Sequence, residues 1–260
     1  MTEQAALLRS LHVPGQPLVL ANAWDVASAR VAEEAGSPVV ATTSAGVAWS
    51  LGARDGDALD RASAVEAVRR VVGAVRVPVT ADIEAGFGSA PADVAETIRG
   101  LVAAGAAGFN LEDEGREIAD YVARLEAARE AGPHLFLNAR IDTYLRGSKD
   151  LEETVERAEA YLAAGADGIF VPGAIELDTV KALVARIAAP VNILVWPGAP
   201  TVAELAAVGV ARVSLGSGVA EAAYAVMRAA VREALGSGTY TSIAGGLPYG
   251  ELNGMLAERP

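Results

Sequence analysis

Short apolar runs rich in β-branched residues recur along the chain, each followed by a longer stretch whose apolar positions return at helical spacing. The runs are LVLANA, SPVVATTS, VPVTADIE, GFNLED, LFLNARID, GIFVPG, VNILVWP and ARVSLGS, starting near residues 18, 38, 77, 108, 135, 168, 191 and 211. Several follow an alanine-rich segment that ends in glycine, as in VAAGAAGFNLED and LAAGADGIFVPG. The glycine suits a helix C-cap, and the run after it suits a parallel strand buried on both faces. Eight such units without a linker or a break in composition predict one (β/α)8 barrel domain over residues 1–260. An open doubly wound sheet is the competing architecture. Against it, ANAWDVAS after the first run offers no GxGxxG turn.

Polar residues collect at the C-terminal ends of these runs, where barrel enzymes carry their active sites. The third run ends in Asp82 and Glu84, the fourth in Glu112 and Asp113, and the fifth in Asn138, Arg140 and Asp142. The second ends in Thr42, Thr43 and Ser44, and the first in Asn22 with Asp25 just beyond. Residues two apart on a strand point the same way, so Asp82 and Glu84 are expected to share a face. Two such carboxylates repel unless a positive charge sits between them, and a hard divalent cation, Mg2+ or Mn2+, fits that place. The alternative is that one caps the next helix and the other is solvated. Arg140, among apolar neighbours, needs an anionic partner: a substrate carboxylate, or internally Asp142 or Glu112. The small residues of TTSAGVAW could present backbone N–H groups to a carboxylate or oxyanion.

Composition narrows the classes. The chain is 52% hydrophobic but only 5% aromatic, which implies a large aliphatic core, and it has no cysteine for a disulfide, a thiolate metal site or a thiol nucleophile. Its net charge of -12 argues against a nucleic-acid partner. The start MTEQAALLRSLHVPG lacks the pattern of a signal peptide, and no apolar run spans a bilayer, so a cytoplasmic protein without a membrane partner is expected. A Schiff-base aldolase would need a lysine on a strand, whereas Lys149 and Lys181 fall in a connection and a helix. Gly216 and Gly218 could place a phosphate at a helix N-terminus, or serve close strand–helix packing. His12 and His134 read as surface positions, and Trp49 either walls the site or packs beneath its loop.

In order and together, LANAWDVASARVAEEAG, ATTSAGVAWSLGARDGD, VPVTADIEAGFG, GFNLEDE, LNARIDTY and PVNILVWPGAPTVAELAAVGVARVSLGSG resemble the isocitrate lyase and phosphoenolpyruvate mutase superfamily along nearly the whole chain. The resemblance implies a (β/α)8 barrel whose last helix is exchanged between subunits of a homodimer or homotetramer, with residues 236–260 a tail packing at the subunit interface. It implies Asp82 as the main Mg2+ carboxylate, with Glu84 and Glu112 acting on the metal through bound waters. Asp55, in LGARDGD, matches an acidic residue on a loop that reaches metal or substrate. Ser44, Ala45 and Gly46 match the segment that binds the carboxylate of a 2-oxo acid, and Arg140 the arginine that contacts it. Trp24 and Asp25 fall where the site begins, and Asn192 where members contact the rest of the substrate.

A metal chelated by a 2-oxo acid stabilises the enolate left when a bond at C3 breaks, a capability shared by several reactions of the family. Its lyases carry a mobile lid after the fourth strand with a lysine-rich, cysteine-containing motif. Here LEDEGREIADYVARLEAA turns into a helix almost at once, with neither residue. Cysteine-dependent isocitrate cleavage is therefore not expected, and a general acid must come from elsewhere, Tyr144 being one candidate. Oxaloacetate decarboxylation asks least of such a site and is the leading expectation. The alternatives are a hydrolase or mutase of C–C or C–P bonds, and a binding protein for 2-oxo acids such as 2-oxoglutarate that turns nothing over.

Overall fold

The computed structural model describes residues 2–257; Met1 and the end of the predicted tail, 258–260, lie outside the described residues. Eight strands, β1 (Leu18–Ala23), β2 (Val40–Thr42), β3 (Val79–Asp82), β4 (Gly108–Glu112), β5 (Phe136–Arg140), β6 (Gly168–Phe170), β7 (Val191–Leu194) and β8 (Arg212–Ser214), pair in chain order. Every pairing is parallel, and β8 returns to β1 through Arg212 beside Leu18, so the sheet closes and the open doubly wound alternative is excluded. The helices are α1 (Glu3–Ser10), α2 (Val26–Glu34), α3 (Ser44–Ser50), α4 (Arg61–Val72), α5 (Pro91–Ala104), α6 (Ile118–Ala131), α7 (Leu151–Ala163), α8 (Leu177–Arg186), α9 (Val202–Ala207), α10 (Gly218–Gly236) and α11 (Tyr249–Ala257). Among the described residues no helix is long and apolar enough to cross a membrane.

Strand alternation divides the core. Phe109, Leu111, Leu137, Ile169, Ile193 and Val213 point outward and pack with helix residues such as Tyr121, Leu125, Leu183 and Leu205. Inside, α1 closes the N-terminal end of the barrel, with Leu8 against Leu18, Leu20, Val39 and Phe136. Gly108 makes that closure feasible, since a Cβ there would lie 2.7 Å from both Leu8 Cδ2 and the Phe136 carbonyl oxygen. His12 is buried, against expectation: its ring stacks on Phe136 at 3.9 Å and its Nδ1 donates to the Leu8 carbonyl at 2.8 Å. Burial, with Arg212 adding, pushes the imidazole down to about 3 and keeps it neutral. His134 is exposed, as its sequence context suggests.

Above that plug the barrel interior is polar. Thr80, Asn110, Asn138, Asn192 and Arg212 are all buried on inward-facing positions, where barrels ordinarily carry branched aliphatic side chains. This layer is the floor of the site.

The C-terminal end departs from a self-contained barrel. Only Ala220 of α10 is buried, while Tyr224, Val226, Met227, Val231 and Leu235 stand exposed. α10 packs on the short turn Thr241–Ile243, held by Glu233, which accepts from the Thr241 and Ser242 backbone N–H groups at 2.8 and 2.7 Å. The chain then returns, and α11 lies against α2, where Arg30 Nε donates to the Met255 carbonyl at 2.9 Å.

Candidate active site

The site is organised at the ends of β2 and β3. After β2 the chain turns directly into α3, so Ser44, Ala45 and Gly46 form the first turn of a helix with Thr43 before them. A Cβ on Gly46 would lie 2.7 Å from Thr43 Cγ2 and 2.8 Å from Trp24 Cβ, so the close approach of this turn to the end of β1 requires glycine. Asp82 ends β3, its backbone N–H donating to Thr42 Oγ1 at 2.9 Å. One carboxylate oxygen, Oδ2, accepts from the Ser44 N–H at 3.2 Å and the Ser44 hydroxyl at 2.8 Å. The other, Oδ1, is buried and has no partner.

Glu84 does not continue the strand. β3 stops at Asp82, and Glu84 has a φ of 50° in the turn that leads through Gly86 and Phe87, so the expected shared strand face does not form. Its side chain turns aside and accepts from the Asp57 backbone N–H, which ties the loop carrying Asp55 to the barrel. Asp82 and Glu84 do meet across a small void of about 10 Å3 behind the main cavity. Burial, with Asp55, Asp57 and Asp82 nearby, pushes the Glu84 carboxyl up to about 7 against the pull of the Asp57 N–H.

Arg140 sits between two carboxylates. Its NH1 pairs with Glu112 and its Nε with Asp142 at 2.7 Å, so both internal partners foreseen in the sequence are realised. Burial opposes its charge, but Glu112, Asp142 and Asp82 outweigh burial and hold the guanidinium protonated. Burial likewise pushes the Glu112 carboxyl up, opposed by Arg140 and reinforced by Asp82 and Asp142. Asp55 is shifted upward by burial and then by Asp82, with the nearby Ser44 side chain and Arg140 pulling the other way.

A cavity of about 170 Å3 opens at this end of the barrel, lined by Ser44, Ala45, Asp55, Asp82, Asn110 and Arg140, with Phe170 and Leu194 among its apolar walls. The structure thus gathers five of the expected residues around one space. Gly46, Glu84 and Glu112 do not line it; Glu84 stands behind Asp82 and Glu112 is paired with Arg140. Asn192 lies in the floor, accepting from Ser214 Oγ at 3.1 Å with its own Nδ2 unpartnered. Trp24 and Asp25 face a different groove beside α4, and Asp25 caps α2 by accepting from the Ser28 N–H at 2.7 Å. Tyr144 is buried and is not a lining residue, and Trp49 packs edge-on against Tyr224. The backbone N–H groups of Leu215 and Gly216 donate to Asn22 Oδ1 at 3.1 and 3.0 Å, so these amides are already used within the protein.

Sequence reasoning passed over Asn110, Ser214 and Arg212. All three occupy alternate positions in apolar runs, GFNLE and ARVSL, and Arg212, like Arg140, is a guanidinium among apolar neighbours. The connection from β4 to α6 spans only residues 113–117 and contains neither cysteine nor lysine. Asp113 anchors it, accepting from the Gly115 and Asp142 N–H groups at 3.0 Å and from the Tyr161 hydroxyl at 2.9 Å.

Among the described residues no three acidic or histidine side chains converge tightly enough to enclose a metal. The donors nevertheless fit a hard cation that retains waters: a buried, unpartnered carboxylate oxygen on Asp82, with Asp55, Glu84 and Glu112 as further acidic groups around it.

The family profile for phosphoenolpyruvate phosphomutase matches residues 8–235. The chain is 39% identical to the uncharacterized protein Rv1998c of Mycobacterium tuberculosis (strain ATCC 25618 / H37Rv) over 254 residues, 95% of each chain. It is 30% identical to the 2-methylisocitrate lyase of Salmonella typhimurium (strain LT2) over 219 residues, 74% of each. Among solved structures, oxaloacetate acetylhydrolase in complex with the inhibitor 3,3-difluorooxalacetate superposes with a TM-score of 0.86 at 26% identity, covering 98% of this chain and 93% of that one.

Proposed function

This chain belongs to the phosphoenolpyruvate mutase and isocitrate lyase superfamily, and on that premise we propose that it is a Mg2+-dependent lyase of small 2-oxo carboxylates, with oxaloacetate decarboxylation as its reaction. The observation that carries the reading is the unpartnered Oδ1 of Asp82 beside a small cavity that also holds Arg140 and Asp55. Asp82 is the residue to hold Mg2+ or Mn2+, with Glu84 and Glu112 acting through waters. When bound, the cation supplies Lewis acidity toward the 2-oxo group.

The protein's own residues supply position. Two of the Arg140 nitrogens are engaged by Glu112 and Asp142, and NH2 is left to receive a substrate carboxylate. Ser44 holds Asp82 in one rotamer through two hydrogen bonds, which fixes the direction of its free oxygen. In decarboxylation the bond from C3 to the distal carboxylate breaks, carbon dioxide leaves, and its electron pair forms the enolate. A proton from water then completes pyruvate at C3. No side chain need act as acid, consistent with a five-residue connection in place of a lid (residues 113–117).

We also propose a homodimer or homotetramer in which α10 packs on a partner, supported by the apolar residues α10 leaves exposed on a single chain.

The test is NMR of purified protein with oxaloacetate, phosphonopyruvate and 2-oxoglutarate, with Mg2+ or with chelator, for wild type and Asp82→Ala. The expected result is pyruvate from oxaloacetate above the Mg2+ background, lost with Asp82→Ala. Acetate plus oxalate would establish hydrolysis instead. Saturable binding without turnover would establish a 2-oxo acid binder.

A further inference from the structure

Arg212 is the largest fully buried side chain of the barrel, a guanidinium on β8 with 0% of its surface exposed and, among the described residues, no carboxylate in salt-bridge contact. Burial lowers its pKa to about 9, with Asp82 opposing, so it stays protonated at neutral pH. Its NH2 donates to Asn110 Oδ1 at 3.1 Å, and its Nε and NH1 have no partner. A buried cation this poorly paired carries a desolvation cost that an aliphatic residue would avoid, so its one contact is informative.

That contact determines which way the Asn110 amide points. A guanidinium only donates, so the atom facing it must be the amide oxygen. Asn138 Nδ2 donates to the same oxygen at 3.0 Å, and the register places Asn110 directly between Asp82 on β3 and Asn138 on β5. With Oδ1 committed twice on the floor side, Nδ2 is the polar atom that Asn110 offers to the cavity it lines, and it donates to no acceptor among the described residues. Its neighbours there are mostly committed: Ser44 to Asp82, and Arg140 to Glu112 and Asp142.

We propose that Asn110 is a hydrogen-bond donor to an anionic oxygen of the bound 2-oxo acid, and that Arg212 is the positioning residue that locks it in the donating orientation. The inference rests on the 2-oxo acid reading above and names the residue that makes the site select an oxyanion. A neutral donor beside Asp82 adds affinity for carboxylate or enolate oxygen without adding a charge that would repel the cation.

The test uses calorimetry with Mg2+ alone and with Mg2+ plus oxalate, a planar dianion resembling the enolate of a short 2-oxo acid. Asn110→Asp, which replaces the donor by an acceptor of the same shape, is expected to weaken oxalate at least tenfold while leaving Mg2+ binding equal or tighter. A lesion that merely loosens the barrel would weaken both. Arg212→Met is expected to weaken oxalate severalfold alone, and to add nothing in combination with Asn110→Ala, since it acts through that side chain. If Arg212→Met does not fold, Arg212→Lys carries the same non-additivity test. Oxalate binding by wild type that survives both Asn110 substitutions unchanged would overturn this inference alone. No oxalate binding by wild type would fell the 2-oxo acid reading with it. Fully additive losses would reduce Arg212 to a structural role.

Discussion

Ser44 gives both of its donors, the backbone N–H at 3.2 Å and the hydroxyl at 2.8 Å, to one oxygen of Asp82, while the other oxygen is buried with no partner at all. A carboxylate satisfied on one side only is held ready for something on the other. Ser44→Ala removes the shorter bond and leaves the carboxylate free to rotate. Mg2+ affinity is expected to fall by about tenfold, the scale of one hydrogen bond to a charged group. Asp82→Asn is expected to abolish binding within the range calorimetry can measure.

Arg140 provides a separate test of the electrostatics. Arg140→Met leaves Glu112 and Asp142 buried without their cation, and stability is expected to fall by about 3–5 kcal/mol, as when one partner of a buried pair is removed. Arg140→Met combined with Glu112→Gln is expected to recover a substantial part of that loss in urea unfolding, because the remaining Asp142 carboxylate still accepts from the Glu114 backbone N–H.

Glu84 predicts a pH dependence of the metal-free protein. Its carboxyl titrates near 4.5 when free and at about 7 when folded. Between those values the folded state holds a proton that the unfolded state has released, so raising the pH favours unfolding, and the cost is complete above pH 7. In chelator, the melting temperature of wild type is expected to drop by roughly 5 °C more between pH 5 and pH 8 than that of Glu84→Gln, the scale of one to two kcal/mol in a domain of this size. Parallel curves for the two proteins would remove Glu84 as the titrating group.

The barrel was legible because its signal is repetitive: several glycine-capped helices, each followed by a β-branched run, state the same unit again, and all eight predicted strand starts lie within two residues of those observed. Asp82, Arg140 and Ser44 were legible because polar residues at the end of an apolar run stand out against it. Glu84 was misread because alternation holds only while the backbone stays extended, and the chain enters a left-handed conformation at that residue. His12 was misread because it precedes a strand and lies away from the polar cluster, whereas α1 folds under the barrel and carries the ring onto Phe136, a partner distant in sequence. Asn110 and Arg212 were missed for a different reason: each is one polar residue in a short run, and only the closed sheet shows that β4 and β8 bring them together.

The last prediction concerns α10, whose 19 residues include Tyr224, Val226, Met227 and Val231, all exposed on a single chain. A long helix with this much uncovered apolar surface does not persist alone in water, because its stability ordinarily comes from packing its apolar face. The returning chain covers α10 only through the turn Thr241–Ile243, since α11 goes to α2. If, as proposed, a second copy of the barrel covers it, sedimentation is expected to give a mass at a multiple of 26.5 kDa. Met227→Asp with Val231→Asp places two charges on that face and is expected to shift the protein to a single-chain species with a lower melting temperature. Wild type that sediments as a single chain at micromolar concentration would instead require α10 to fold back onto its own barrel, and exchange protection of its amides would then be the observation to explain.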